Sequence, residues 1–164
     1  MITLEEIIIK RGDIEKIYQS DKDLTLWRGL HNSEVNTKPN PLYPDFYEKE
    51  TANGDVRQPD VTIVKDGVTG KEVVKSEEGV GTSLVDKDGV FGHGNWKYFT
   101  IPAGTHIPPE LIITRDHFMR RKKCWHYSIS PNYDMTKDKF VKALDKLAFN
   151  AGIRIGVLKS EQHK

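Results

Sequence analysis

Three short stretches of the chain carry side chains that could bind or act on a charged ligand. The first contains Arg28, which alternation places on the same face of a predicted strand as Leu24 and Leu26. A guanidinium beside apolar side chains is costly unless an anion pairs with it. A buried ion pair and an exposed edge position remain open as alternatives.

The second stretch places two hydroxyls directly after a Gly-Val-Gly turn. Thr82 and Ser83 follow Gly81, and a second turn at residues 86–89 comes after two apolar residues. Hydroxyls at such a position can bond to a ribose or a phosphate, or they can brace a neighbouring strand. An ordinary hairpin is the simpler interpretation of these residues taken alone.

The third stretch puts His126 beside Tyr127 in a strand-like pattern. The unperturbed pKa of histidine, about 6.5, lets an imidazole exchange a proton near neutral pH. The alternative is a structural histidine that bonds to a backbone carbonyl. Arg57 precedes the turn sequence Gln-Pro-Asp, where it is either a ligand contact or a plain loop charge.

Four consecutive cations precede the third stretch: Arg120, Arg121, Lys122 and Lys123. With Trp125 close by, this basic strip is similar to a phosphate-binding surface with a stacking ring. A solvated hairpin tip is the commoner role of such a run.

The composition is that of a single globular domain in a reducing compartment. The chain has 164 residues, 37% hydrophobic and 30% charged, and its formal net charge of +1 favours no polyanionic partner. The single cysteine, Cys124, excludes an internal disulfide, and the histidines lack the paired spacing of a zinc site, so no metal is expected. No apolar run approaches the ~18 residues that span a membrane, and the N-terminus does not have the pattern of a secretory signal. We expect a cytoplasmic protein that does not bind a membrane.

Apolar periodicity predicts helices at the two ends of the chain. Residues 1–22 are predicted to form a helical extension, which begins with a capping box between Thr3 and Glu6 and continues in a second short helix over residues 14–18. Residues 136–151 are predicted to form an amphipathic helix, capped by Asp134 or Thr136 and ended by Gly152. We expect residues 153–158 to form a last edge strand.

Short apolar or alternating runs between turn residues predict a series of strands. They lie at residues 24–29, 61–64, 81–85, 96–101, 111–114 and 125–130. Proline, asparagine and aspartate dominate residues 31–60, which predicts a long irregular stretch, with a loop or one short helical turn near Phe46 and Tyr47. Because such loops often act as lids or binding surfaces, we expect residues 32–58 to move or to contact a partner. Residues 69–80 are polar and are predicted to be mobile.

The order of the motifs resembles the type six exported toxin two family of bacterial toxins. The sequence reads LWRGL, RQPDVTIVKDG, GTSLVDKDGVF, FTIPAGTHIPPELIITRDHF and HYSISPNYDMT, followed by the amphipathic helix, over residues 24–150. Toxins of this family are delivered by the type VI secretion machinery and have a fold similar to mono-ADP-ribosyltransferases. The resemblance implies an α+β fold of two packed, mainly antiparallel β-sheets flanked by helices, with a central NAD cleft, in one domain over residues 1–164.

The resemblance also implies roles for individual residues. The residues that would hold NAD, the substrate, are Arg28, Gly29, Arg57, Thr82, Ser83 and Tyr127. Those that would be catalytic are Arg28, Ser83 and His126. The late strand lacks the glutamate that ADP-ribosyltransferases usually carry there. His126 would substitute for it, or a loop glutamate would, the candidates being Glu77, Glu78 and Glu110; a binding-only site is the third option.

The implied function is transfer of ADP-ribose from NAD to a macromolecule, by a toxin that a cognate immunity protein neutralises. The basic strip, residues 120–123, would make RNA or DNA the acceptor, and a protein with an acidic face fits equally well. Three alternatives stay open at this point: an NAD glycohydrolase, a nucleic-acid-binding module and a non-catalytic interaction domain.

Overall fold

A computed structural model describes residues 1–19, 23–51 and 53–162. The last part of the predicted N-terminal extension, residues 20–22, and one residue of the predicted loop, residue 52, lie outside the described residues.

An N-terminal helix, α1 (Leu4–Arg11), begins the chain. The hydroxyl of Thr3 accepts a hydrogen bond from the Glu6 N–H at 3.1 Å, which confirms the predicted N-terminal cap, and Gly12 ends the helix with φ 92°. The predicted second short helix is confirmed only in part. A 3₁₀ helix covers Ile14–Lys16, after which Ile17 is extended and the Tyr18 N–H donates to Ile113 O at 2.8 Å. Pairing with a neighbouring strand satisfies this backbone better than an isolated helical turn would.

The main sheet has five strands in the order β7-β1-β6-β9-β8, and every neighbouring pair is antiparallel. Its strands are β1 (Leu26–His31), β6 (Thr82–Val85), β7 (Trp96–Ile101), β8 (Leu111–Met119) and β9 (Cys124–Pro131). All five correspond to predicted strands, although β8 is longer than expected. A bulge interrupts the β8–β9 pairing between Arg115 and His117.

Two smaller antiparallel sheets complete the β-structure. The strands β10 (Met135–Thr136), β5 (Glu72–Val74) and β4 (Ile63–Lys65) form one, and β2 (Lys49–Glu50) and β3 (Val56–Arg57) form the other. Residues 69–80, predicted to be polar and mobile, contain the paired strand β5, whose Val74 is fully buried against the core. Of the two alternatives predicted near Phe46, a loop or one short helical turn, the structure has the loop. A short helix, α2 (Asn32–Val35), forms earlier, where the His31 ring accepts the Ser33 N–H.

The C-terminal helix, α3 (Lys137–Gln162), starts as predicted, with the Thr136 hydroxyl accepting the Lys139 N–H at 3.2 Å. It does not end at Gly152, and the predicted edge strand over residues 153–158 is wrong. A glycine costs a helix only about 1 kcal/mol, whereas a strand would need a partner edge. In a continued helix the backbone groups hydrogen-bond to one another. In addition, Arg154 Nε donates to Ala103 O at 2.9 Å.

The main core lies between one face of the five-stranded sheet and the buried stripe of α3. Its fully buried side chains include Leu26, Ile129, Phe140 and Leu144. A separate small cluster joins α1 to β8, formed by Leu4, Ile8, Ile17 and Ile112. The opposite face of the sheet is therefore left for other contacts around β1, β6 and β9.

Candidate active site

The strands β1 and β6 diverge at the position of Arg28. β1 pairs with β7 along its whole length but with β6 only at Trp27, opposite Val85. The Arg28 side chain spans the divergence: its Nη1 donates to Ser83 O at 3.3 Å. Its Nε and Nη2 donate to the carbonyls of Pro41 at 3.2 Å and Tyr43 at 3.5 Å. Arg28 thereby holds the segment after α2 against the start of β6.

Arg28 is only 8% exposed, and carbonyl oxygens surround its guanidinium instead of a carboxylate. Burial lowers its pKa, although the nearest carboxylates, those of Asp60, Glu34 and Asp45, act in the opposite direction. An arginine remains charged under such a shift because its ordinary pKa is so high. A positive charge is therefore fixed in the wall between β1 and β6 without a bonded counter-ion among the described residues.

A cavity of about 160 Å³ opens where the two strands diverge. Its walls come from both strands and from aromatic, acidic and basic side chains around them: Trp27, Arg28, Gly29, Glu34, Arg57, Ser83, Leu84, Val85, Phe91, Trp96, Met119 and His126. Ligand clefts usually exceed about 300 Å³, so this cavity has room for one ring system and not for a dinucleotide. Five of the residues predicted from the sequence, Arg28, Gly29, Arg57, Ser83 and His126, meet here.

A second, larger cleft of about 840 Å³ adjoins the cavity. Glu34, Arg57 and Trp96 line both spaces. The larger cleft runs between α2 and the β2–β3 hairpin, within the segment predicted to act as a lid or binding surface. Together the two spaces could hold an elongated ligand with one ring in the small cavity.

Strand alternation places the two hydroxyls that follow the Gly-Val-Gly turn on opposite faces of the sheet. Thr82 is fully buried on the core face, where its Oγ1 donates to Leu42 O at 2.6 Å. Ser83 lies on the other face and lines the cavity. Tyr127 also faces the core, with its ring edge-on to Tyr18, and burial raises the pKa of its phenol. Neither Thr82 nor Tyr127 lines the cavity, whereas Ser83 and His126 do.

Two glycines near the start of β6 and within β1 allow close approaches that a side chain would prevent. A Cβ on Gly81 would lie 1.7 Å from Ile129 O, so β6 and β9 can pair here only without a side chain. A Cβ on Gly29 would lie 3.1 Å from the Phe91 ring, which forms part of the cavity wall.

An ion-pair network lines the larger cleft around Asp45. Lys38, Lys49 and Arg57 approach its carboxylate at 2.8, 3.2 and 3.3 Å. Burial raises the pKa of Asp45, but the bonds from Lys38 and Lys49 outweigh it and the net pKa lies below the usual range. Lys49 also bonds to Glu34 at 2.6 Å. Arg57 is the most exposed of the three cations, at 50%, and is best placed to turn toward a ligand phosphate.

His126 belongs to a polar cluster with Asp116, the extra residue of the bulge in β8. Its Nδ1 lies 3.0 Å from Asp116 Oδ2, to which Ser128 Oγ also donates at 2.6 Å. Thr114 Oγ1 donates to Asp116 Oδ1 at 2.8 Å. Burial raises the pKa of Asp116, but the bonds from His126, Ser128 and Thr114 outweigh it and the net pKa is lowered. The imidazole is therefore held by an ionised carboxylate.

Sequence reasoning missed two carboxylates near the cavity. Asp116 supports His126, and Glu34 is the one acidic residue among the described lining residues. The three loop glutamates that the sequence offered do not line the cavity: Glu77, Glu78 and Glu110. Glu78 instead forms a bidentate pair with Arg11 at 2.9 and 3.0 Å. The acidic residue in the motif ITRDHF was the signal for Asp116, while nothing in the sequence placed Glu34 beside β1.

The basic strip, residues 120–123, forms the exposed tip of the β8–β9 hairpin. Lys122 Nζ lies 5.7 Å from the centre of the Phe91 ring, and Met119 lines the cavity, so the strip borders the cavity mouth. Trp125 was expected to stack a base, but other side chains already contact its ring. The Cζ atom of Arg115 lies 4.2 Å from the ring centre, and Phe118 packs against the ring in a T-shaped arrangement.

The antiparallel sheets and the matching sequence define a toxin of the ADP-ribosyltransferase class. Residues 8–154 match the sequence model of a protein family, the Tse2 ADP-ribosyltransferase toxins. The chain belongs to this family. Toxin Tse2 of Pseudomonas aeruginosa is 29% identical over 153 residues, which cover 92% of this chain and 87% of that protein. The family match begins at residue 8, earlier than the motifs that start at residue 24 had indicated.

The family implies NAD as the substrate. Among residues 1–19, 23–51 and 53–162, no group of three or more histidine, cysteine, aspartate or glutamate side chains is placed to hold a metal ion. In the same part of the chain no helix has the length and apolar character needed to cross a membrane.

Proposed function

We propose that the protein transfers the ADP-ribose of NAD to a macromolecular acceptor, with the reacting end of NAD in the 160 Å³ cavity. The observation that carries the proposal is that Arg28, Ser83 and His126 converge on one cavity in a chain of this family. The limited volume favours the nicotinamide ring there, and the adjoining 840 Å³ cleft takes the rest of the dinucleotide.

The charges around the cavity suit this placement of NAD. Arg57 on the cleft rim would pair with the diphosphate, and the buried charge of Arg28 would attract it from the wall. Ser83 lines the cavity and can hydrogen-bond to the nicotinamide side or the ribose. Gly29 lets the Phe91 ring approach β1 and close one side.

In the proposed reaction, the bond between C1′ of the ribose and the nicotinamide nitrogen breaks, and the electron pair leaves with neutral nicotinamide. A nucleophilic atom of the acceptor bonds to C1′, and its proton passes to His126. Glu34 would stabilise the positive charge that develops on the ribose, because it is the carboxylate that lines the cavity. Without an acceptor, water would take the same place, and the protein would act as an NAD glycohydrolase.

The basic strip gives the proposed acceptor a docking surface. Residues 120–123 are exposed at the cavity mouth, and no carboxylate among the described residues pairs with their side chains. Four cations beside an active site suit the phosphates of RNA or DNA. Labelled NAD added to a cell lysate would identify the acceptor. Label lost after nuclease supports a nucleic acid, and label lost only after protease identifies a protein.

The similarity to Toxin Tse2 suggests a cognate immunity protein. We also propose delivery by the type VI secretion machinery and action in the cytoplasm of the target cell. The free, buried Cys124 suits a reducing compartment. A small open reading frame next to the toxin gene would be the first candidate for the immunity protein, and its product should suppress toxicity when both are expressed together.

The central experiment measures nicotinamide release from NAD by the purified protein. His126→Gln keeps a hydrogen-bonding side chain without the imidazole, and release should fall by about 10²-fold or more if His126 takes the proton. His117→Gln is the matched control, because His117 stacks on His126 at 4.8 Å between ring centres yet does not line the cavity. No release by the wild type, with or without lysate, would refute the proposed function.

A further inference from the structure

The bulge in β8 has a chemical consequence for the opposite strand. Arg115 pairs with Tyr127 and His117 pairs with His126, which leaves Asp116 as the residue without a partner across the ladder. A bulge of this kind commonly re-aims a side chain next to a site. Here it brings the Asp116 carboxylate to the face that also carries His126 and Ser128.

The carboxylate of Asp116 lies within hydrogen-bond distance of three side-chain donors. Thr114 Oγ1 bonds to one oxygen at 2.8 Å, and Ser128 Oγ and His126 Nδ1 share the other at 2.6 and 3.0 Å. Ser128 Oγ also lies 3.3 Å from Gly79 O, but its single proton favours the shorter, charge-assisted bond. Because the Asp116 side chain is only 12% exposed, water competes little for these bonds. An ionised carboxylate accepts and does not donate, so the facing nitrogen of His126 must carry its proton.

We propose that Asp116 is a positioning residue, which fixes His126 in the tautomer with the proton on Nδ1 and so presents an unprotonated Nε2 to the cavity. The two nitrogens lie on different edges of the ring, and within the described part of the chain Nε2 bonds to no protein group. An unprotonated Nε2 is the form that accepts a proton from an incoming nucleophile. This inference rests on the proposed function, in which His126 is the proton acceptor.

The tautomer can be observed directly, without activity. Long-range ¹H–¹⁵N spectra of protein labelled in histidine distinguish a protonated Nδ1 from a protonated Nε2. The wild type should show His126 with the proton on Nδ1. In Asp116→Ala the Nε2–H form should appear, and Asp86→Asn should leave the spectrum unchanged, because Asp86 bonds to the Trp125 N–H of the same strand and not to the imidazole. An unchanged His126 tautomer in Asp116→Ala would overturn the proposal.

A double-mutant cycle tests whether Asp116 acts through His126. Asp116→Asn is nearly isosteric, so we expect it to keep the fold even if the alanine variant does not. It should lower kcat for nicotinamide release about tenfold, with KM changed less than about threefold, and Asp116→Glu should restore part of the loss. In the His126→Gln background the same change should have no further effect. An equal loss of kcat in both backgrounds would mean a structural role and would refute the proposal.

The tautomer spectra and the nicotinamide-release kinetics distinguish a failure of this proposal from a failure of the proposed function. A changed tautomer in Asp116→Ala supports the placement of Asp116 whatever the wild-type turnover is. Absence of nicotinamide release by the wild type would count against the proposed function and not against this hydrogen bond.

Discussion

Thr82 and Ser83 are neighbours on β6 with opposite surroundings, so their substitutions should affect different properties of the protein. Thr82→Val keeps the shape of the side chain and removes the bond to the buried carbonyl of Leu42. The lost bond and the stranded carbonyl should cost about 1–3 kcal/mol of unfolding free energy. For a chain of this size that lowers the melting temperature by roughly 2–4 °C per kcal/mol. NAD affinity should not change.

Ser83→Ala should give the reverse result. Among the described residues the Ser83 hydroxyl bonds to no protein group, so stability should stay within about 0.5 kcal/mol of the wild type. Loss of one hydrogen bond to NAD, worth about 0.5–1.5 kcal/mol, should weaken binding about 2- to 13-fold.

The assay pairs urea denaturation with titration calorimetry of NAD on each variant. Thr105→Val is the matched control, because Thr105 is fully buried and its Oγ1 donates to Pro102 O at 2.7 Å, in a loop that does not line the cavity. It should lose stability like Thr82→Val and bind NAD like the wild type. Weaker NAD binding by Thr82→Val at unchanged stability would refute this division of β6 into a core face and a site face.

Three other perturbations probe the close approach at Gly81, the Asp116 carboxylate and the basic strip. Gly81→Ala should destabilise the protein by about 3 kcal/mol or more, because its Cβ would force β6 away from Ile129 O; a thermal melt within about 1 °C of the wild type would contradict the close approach. The pKa of Asp116 is lowered by folding, so its contribution to stability is complete above its unfolded pKa of about 3.9 and is lost as the pH falls through the lower folded value. The stability difference between the wild type and Asp116→Asn in urea should therefore shrink between about pH 5 and pH 2, and a constant difference would mean that no such pKa shift exists. Replacing residues 120–123 with glutamine should make the salt dependence of RNA or DNA binding shallower, by about 0.9 in log–log slope for each phosphate that the strip no longer neutralises; an unaltered slope would leave the strip as a solvated hairpin tip.

The sequence predicted most of the elements that build the site. Periodicity located α1, α3 and the five strands of the main sheet, because alternation and helical spacing are local properties. It also identified the parity of Arg28 with Leu26, which agrees with the burial of Arg28, although the sequence left an exposed edge position open as well. The edge strand predicted over residues 153–158 is wrong, and the pairing of β5 within residues 69–80 was not predicted. Whether a short segment pairs or remains helical depends on which partner lies beside it, and that partner is distant in the chain.

The tertiary structure alone decided which side chains share the cavity. The sequence presented Thr82 and Ser83 as a pair, but the pleat sends one to the core and the other to the site. Nothing local indicated that Glu34 would reach the cavity, since α2 is placed there by pairing of the flanking β1 with β7. Asp116 and His126 stand ten positions apart and meet only because a bulge shifts the ladder by one residue. A residue's chemistry is thus set by its type, while its partners are set by strand register, which long-range pairing determines.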